Sequence, residues 1–182
     1  MAPRGALAEQ LPMTVFSARD GVATTPARVV VDSRGFVWFP SCEGLARFDG
    51  NGFRIFTPAD GLPGPCTFDI IERADGNYWI AAREQLCLFK PAAGGTRFEC
   101  ESPKLGAINT LVEAQEHLWC GTDAGLWRRP AHGGVPWEAV RLISSGAGQH
   151  SVAVRRLLRD TRGDVWAALS RLRRCCPRRF RP

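Results

Sequence analysis

The side chains of this chain that could carry acid–base or metal chemistry are His117, His132 and His150, and they stand apart from one another in sequence. A zinc or general-base site draws on paired spacings such as His-Glu-x-x-His or Cys-x-x-Cys, and neither spacing occurs. His117 falls beside Trp119 where a turn is expected, so an exposed turn residue is the reading for it. Asp49-Gly50-Asn51-Gly52 has the opening of a calcium loop but lacks its further acidic ligands and closing Glu, so it reads as a hairpin. The acids Asp32, Glu113 and Asp160 recur because they open equivalent turns, which gives no pair of carboxylates within reach of one bond. Ser144-Ser145-Gly146-Ala147-Gly148 lacks the strand, helix and Lys of a phosphate-cradling loop and reads as a linker. No catalytic, cofactor-binding or metal-ligating residue is therefore assigned, and no cofactor is expected.

The elements that position these residues are short. In Val29–Phe56 four apolar runs, 29–31, 36–39, 45–48 and 53–56, are rich in β-branched and aromatic residues and too short for helices. Asp32-Ser33-Arg34-Gly35, Glu43-Gly44 and Asp49-Gly50-Asn51-Gly52 separate them with turn chemistry. The unit reads as an antiparallel meander of four strands.

The unit repeats. Trp38, Trp79, Trp119 and Trp166 follow at intervals of 41, 40 and 47 residues. Three positions before them stand Gly35, Gly76, Glu116 and Gly163, and six before stand Asp32, Arg73, Glu113 and Asp160. Four strands and one Trp in every unit of 40 to 50 residues is the pattern of propeller blades, which must stack face to face because one small sheet cannot bury both faces alone. The fold class expected is all-β: an incomplete β-propeller of three four-stranded antiparallel blades, at about 27–57, 67–99 and 106–140, plus part of a fourth at 152–169. Residues 1–11 are expected to be disordered and 12–170 to form the partial propeller. Met13–Phe16 matches the end of a unit, an outer strand that the last blade of a closed ring would borrow.

At these residues the chain resembles a known family. Asp32, Gly35, Trp38, Gly44, Leu45, Arg47, Phe48, Asp49, Gly50, Phe53, Asp60, Gly61 and Leu62 are similar to the two-component regulator propeller repeat, and degenerate copies extend the resemblance over about 16–169. That repeat builds the sensory region of bacterial hybrid histidine kinases and some diguanylate cyclases. The resemblance implies a non-enzymatic sensory module with a periplasmic location. It also implies an unknown small ligand or protein partner at the propeller face, and a kinase or cyclase domain downstream in the parent protein. A propeller lyase or hydrolase and a cytosolic Trp-Asp-type scaffold are the alternatives; the first would need acids and His converging at one mouth.

Composition narrows the partners. The net charge of +6 comes from six arginines between 171 and 181, without which the remaining 18 basic and 18 acidic residues balance, so nucleic acid is not an expected partner. No run of about 18 apolar residues occurs to span a membrane. No complete signal peptide is present, although Ala6-Leu7-Ala8 has the form of a cleavage site. Cys42, Cys66, Cys87, Cys100 and Cys120 fall in or beside strands and read as small buried apolar residues, with occasional disulfides left open. The segment 171–182, Arg-, Cys- and Pro-rich, breaks the fourth unit and is expected to be a disordered or aberrant tail. With too few units for a ring, the chain reads as a fragment.

Overall fold

The computed structural model describes residues 14–20, 25–91, 97–142 and 152–170, together with the backbone of 175–180. Four antiparallel sheets follow one another along the chain. Blade one comprises β1 (Val30–Val31), β2 (Val37–Ser41), β3 (Gly44–Phe48) and β4 (Phe53–Phe56). Blade two comprises β5 (Asp69–Glu72), β6 (Tyr78–Ala82), β7 (Gln85–Phe89) and β8 (Phe98–Glu101). Blade three comprises β9 (Ile108–Ala114), β10 (His117–Thr122), β11 (Gly125–Pro130) and β12 (Glu138–Val140). Blade four has β13 (Ala153–Arg159), β14 (Val165–Ser170) and β15 (Cys175–Phe180). Within each sheet the strands lie side by side in chain order, the meander that the sequence predicts.

Register explains the recurring tryptophan. Trp38, Trp79, Trp119 and Trp166 pair with Val30, Ile71, Val112 and Leu158 on the first strand of their own blade. Because side chains alternate across a strand, Trp38, Trp79 and Trp119 each lie on the face turned toward the following blade. Trp38, Leu45 and Phe56 pack with Tyr78, Ile80 and Phe89; Trp79 and Leu86 pack with Ile108, Leu118 and Cys120; Trp119 and Leu126 pack with Val154, Leu157 and Ala167. The core therefore lies between sheets, and each large apolar side chain buried there contributes about 1.5–3 kcal/mol. This is an incomplete β-propeller.

Two sequence expectations change on contact with the structure. Cys42–Cys66 and Cys87–Cys100 are disulfides, and among the described cysteines Cys120 is a free, buried thiol. The register of β7 against β8 sets Cys87 directly opposite Cys100, an adjacency that no single strand reveals. The second change concerns the Arg-rich end: the backbone of Cys175–Phe180 pairs with Val165–Ser170 along its whole length, so a third strand stands where a tail without structure was expected. Backbone pairing needs no particular side chains, and the unpaired edge of β14 offers the partner. Residues 1–11, His150 and the linker 144–148 lie outside the described residues.

Candidate functional site

Every blade has two ends, and they carry different side chains. At one end a turn joins first strand to second. Asp32 opens that turn in blade one: its Oδ1 accepts from the amides of Arg34 and Phe36, both at 2.9 Å, and its Oδ2 accepts from Trp38 Nε1 at 2.8 Å and Tyr78 Oη at 2.6 Å. Arg34 in turn donates to the Tyr78 hydroxyl, which bridges blades one and two. Burial works to raise the pKa of Asp32, but the four donors outweigh it and hold the carboxyl below its usual range. Burial and the neighbouring carboxylate together push the Tyr78 phenol up to about 12. Asp160 repeats the arrangement, taking the amides of Arg162 and Asp164 on Oδ1 and Trp166 Nε1 on Oδ2 at 2.9 Å.

The middle blades solve the same position differently. In blade two Arg73 replaces the acid, and its guanidinium lies 5.2 Å from the Trp79 ring centroid and pairs with Asp75 at 3.0 Å. In blade three Trp119 Nε1 donates to the Ala114 carbonyl at 3.2 Å. Glu113 does not open a turn as the sequence predicted. It lies inside β9 opposite Leu118, because Ala114 pairs directly with His117 and leaves a loop of only Gln115 and Glu116, at φ +53° and +61°. One less residue in the turn moves the acid into the strand. Asp49 Oδ1 accepts from the amides of Asn51 and Gly52 at 2.9 Å and closes the hairpin that its sequence predicts.

The other end of each blade gathers the starts of the first strands, the turns between second and third strands, and the connectors between blades. Here a polar chain crosses all four sheets. Arg28 Nη1 lies 2.5 Å from Asp69 Oδ1; Asp69 Oδ2 accepts from Thr110 Oγ1 at 3.0 Å and the Leu111 amide at 2.9 Å; Thr110 Oγ1 accepts from the Leu157 amide at 3.1 Å. Asp69 and Thr110 are fully buried, so their hydrogen bonds are held without water, while the Arg28 side chain at the start of the chain is part-exposed. Next to it Asp123 Oδ1 takes Asn109 Nδ2 at 3.0 Å and Arg155 Nη1 at 2.8 Å, and these side chains are open to solvent. Arg83 and Glu84 occupy the corresponding turn of blade two. With the connector Pro63–Cys66 they line a shallow cleft of about 290 Å³. The Cys42–Cys66 disulfide ties that connector to the corresponding turn of blade one.

Sequence reasoning assigned no residue to this end. Its one signal was positional: Arg28, Asp69 and Thr110 each stand two residues before the partner of the blade's tryptophan. The two described histidines, His117 and His132, do not join them. His117 begins β10 and Asp123 follows its last residue, so they sit at opposite ends of the strand, and His132 follows the end of β11 that pairs with His117. His117 Nδ1 is engaged with the Gln115 carbonyl at 2.7 Å. What the charged end offers is hydrogen bonds and point charges for a polar ligand or partner, on a rigid base of inner strands.

The chain matches no protein-family model and no curated protein. Solved structures share its fold. The extracellular domain of the putative hybrid two component system BT4673 from B. thetaiotaomicron superposes with a TM-score of 0.61 at 20% identity, over 78% of this chain and 19% of that one. The corresponding domain of BT3049 from the same organism gives 0.62 at 16% identity, over 85% and 20%. Virginiamycin B lyase from Staphylococcus aureus gives 0.55 at 12% identity, over 85% and 54%. The chain thus spans about a fifth of the length of the sensor domains it matches.

Proposed function

We propose that this chain is a sensory β-propeller segment of a bacterial two-component-type signalling protein, itself without catalysis. It binds a small ligand or a protein partner at the end where Arg28, Asn109, Asp123 and Arg155 gather, and the event passes to a kinase or cyclase domain of the parent protein. The observation that carries this reading is the shared fold with two extracellular domains of hybrid two component systems, over most of this chain's length. Two disulfides support a periplasmic or extracellular site, since such bonds persist in oxidising compartments. Among the described residues no helix is long and apolar enough to cross a membrane. The separation of His117 and His132 from the carboxylates of the charged end supports binding over a lyase reaction.

The test is a thermal-shift screen of the purified chain against water-soluble metabolites, each hit titrated again on Arg155→Ala and Asp123→Ala, with a parallel incubation in labelled ATP. Hits that lose affinity in both variants, and no transfer of label, are expected. Hits indifferent to both variants would move the binding site elsewhere, and label on the chain would overturn the non-catalytic reading.

A further inference from the structure

The joint between blades one and two is aromatic where the joint between blades two and three is charged. Phe56, paired with Leu45 on β3, packs on Phe89 with ring centroids 5.2 Å apart, and Phe89 stacks on Phe98 at 4.7 Å. One blade later Glu101, paired with Leu86 on β7, stands where Phe56 stood, and Arg129, paired with Leu118 just before the blade's tryptophan, stands where Phe89 stood. Arg129 Nη2 lies 2.5 Å from Glu101 Oε1, and its guanidinium lies 4.5 Å from the Trp137 ring centroid, as Phe89 lies on Phe98. A carboxylate and a guanidinium fill less of the joint than two phenyl rings. A cleft of about 380 Å³ opens there, within the ~300–1,000 Å³ range of small-molecule sites.

The lining states what chemistry the cleft accepts. Leu86 and Leu88 give it an apolar wall, Glu99 and Glu101 stand on one side, and the turn at Gly133 and Gly134 forms its rim without side chains. Arg129 and Trp79 line it too, and each is only 8% exposed. Arg129 Nε and Trp79 Nε1 are buried donors with no acceptor among the described residues, a costly arrangement that a ligand oxygen would relieve. Each carboxylate already has its own cation, Glu99 with Lys90 Nζ at 2.5 Å and Glu101 with Arg129, so an ionic ligand would break a pair without meeting a surplus charge. Flat aromatic ligands are disfavoured as well, because guanidinium groups already lie 5.2 and 5.5 Å from the Trp79 ring centroid and 4.5 Å from that of Trp137. Hydroxyl groups suit the site, since each donates and accepts at once.

We propose that the cleft between blades two and three binds a neutral sugar of one or two rings. Its hydroxyls donate to Glu99 and Glu101, its oxygens accept from Arg129 and Trp79, and its C–H face lies on Leu86 and Leu88. The site shares no residue with the charged end that gathers Arg28, Asn109, Asp123 and Arg155, so the inference is independent of the functional reading.

Tryptophan fluorescence of the full chain, with its disulfides formed, reads the site through Trp79 and Trp137. Glucose, galactose, mannose, maltose and cellobiose would be titrated, with glucuronate and glucosamine as charged counterparts. A saturable change with at least one neutral sugar is expected, and binding about tenfold weaker or less for the charged ones. Glu101→Gln, at a half-exposed side chain, should keep the wild-type circular dichroism and lose about tenfold in affinity. The double variant Glu101→Phe with Arg129→Phe rebuilds the Phe56–Phe89 pair of the preceding joint, and it should keep the fold and lose binding altogether. No saturable change with any neutral sugar, tighter binding of glucuronate or glucosamine, or binding that survives the double variant overturns the proposal. Should the double variant unfold, Glu101→Gln decides alone, and an unchanged affinity overturns it. Binding lost in Arg155→Ala and kept in Glu101→Gln would place the sugar at the charged end, which overturns this inference and leaves the functional reading standing.

Discussion

Trp38 Nε1 donates to Asp32 Oδ2 at 2.8 Å, six residues back along the chain, and the same carboxylate closes the turn between them. One acid therefore fixes both the corner of the blade and the rotamer of the indole that covers the next blade. Asp32→Asn presents an amide N–H where Trp38 and Tyr78 already donate, or an oxygen to only part of the set. The loss should be about 2–3 kcal/mol by urea unfolding, since a buried donor is left without an acceptor.

The pH dependence has a definite sign. The folded-state pKa of Asp32 lies below its ordinary value because its four hydrogen bonds exceed the opposing effect of burial. Its contribution to stability is therefore full above the unfolded pKa, about 3.9, and is lost as pH falls through the lower folded value. Urea midpoints of wild type and Asp32→Asn should converge below pH 3.8, the ordinary value of this group, and separate above it. A difference that stays constant through this range would show that the carboxylate is not the source.

Gln115 and Glu116 hold φ of +53° and +61° in a two-residue loop that favours Asn-Gly. Replacing them by Asn-Gly should stabilise the chain by roughly 0.5–2 kcal/mol through relief of backbone strain, read as a higher melting temperature. The sequence showed Glu116 in place of the glycine of the other turns, and the physical meaning of that departure is a different, shorter turn.

Gly121 stands where blade four closes on blade three: a Cβ there would lie 2.6 Å from Thr110 Cγ2 on the neighbouring strand of its own blade and 2.6 Å from Val154 Cγ1 of blade four. Gly121→Ala should cost about 1–3 kcal/mol by overpacking. Thr110→Ser in the same chain removes one of the two opposing methyl groups and should recover part of that loss, which a double-mutant cycle would measure.

Reduction probes the two disulfides. They close loops of 24 and 13 residues, for which chain entropy predicts about 3 kcal/mol each. Dithiothreitol should lower the melting temperature in native buffer. Cys120 is fully buried and its pKa is driven upward by that burial, so before unfolding it should not react with a thiol reagent.

Legibility in the sequence followed the local or non-local nature of each contact. Asp32, Gly35 and Trp38 interact within seven residues, so their spacing carried the blade, its turn and its repeat. Tyr78 and Asp32, 46 residues apart, meet only when blades stack, and neither residue signals the other. The same holds for Arg28, Asp69 and Thr110, whose partners come from successive sheets. Cys87 and Cys100 became a pair through strand register, and Cys42 and Cys66 through the packing of a connector. Position within the repeat held the missing information, and reading it needs the register that only paired strands supply.

The division of labour between the two ends of the blades is the central claim, and one thermal-shift experiment addresses it. Wild type, Asp32→Asn and Arg155→Ala would be melted with and without a metabolite that raises the wild-type melting temperature. Asp32→Asn should lower the ligand-free midpoint and keep the ligand-induced rise. Arg155→Ala, at a half-exposed pair worth less than about 1 kcal/mol, should keep the midpoint and lose the rise. A ligand-induced rise abolished by Asp32→Asn and untouched by Arg155→Ala would contradict the account.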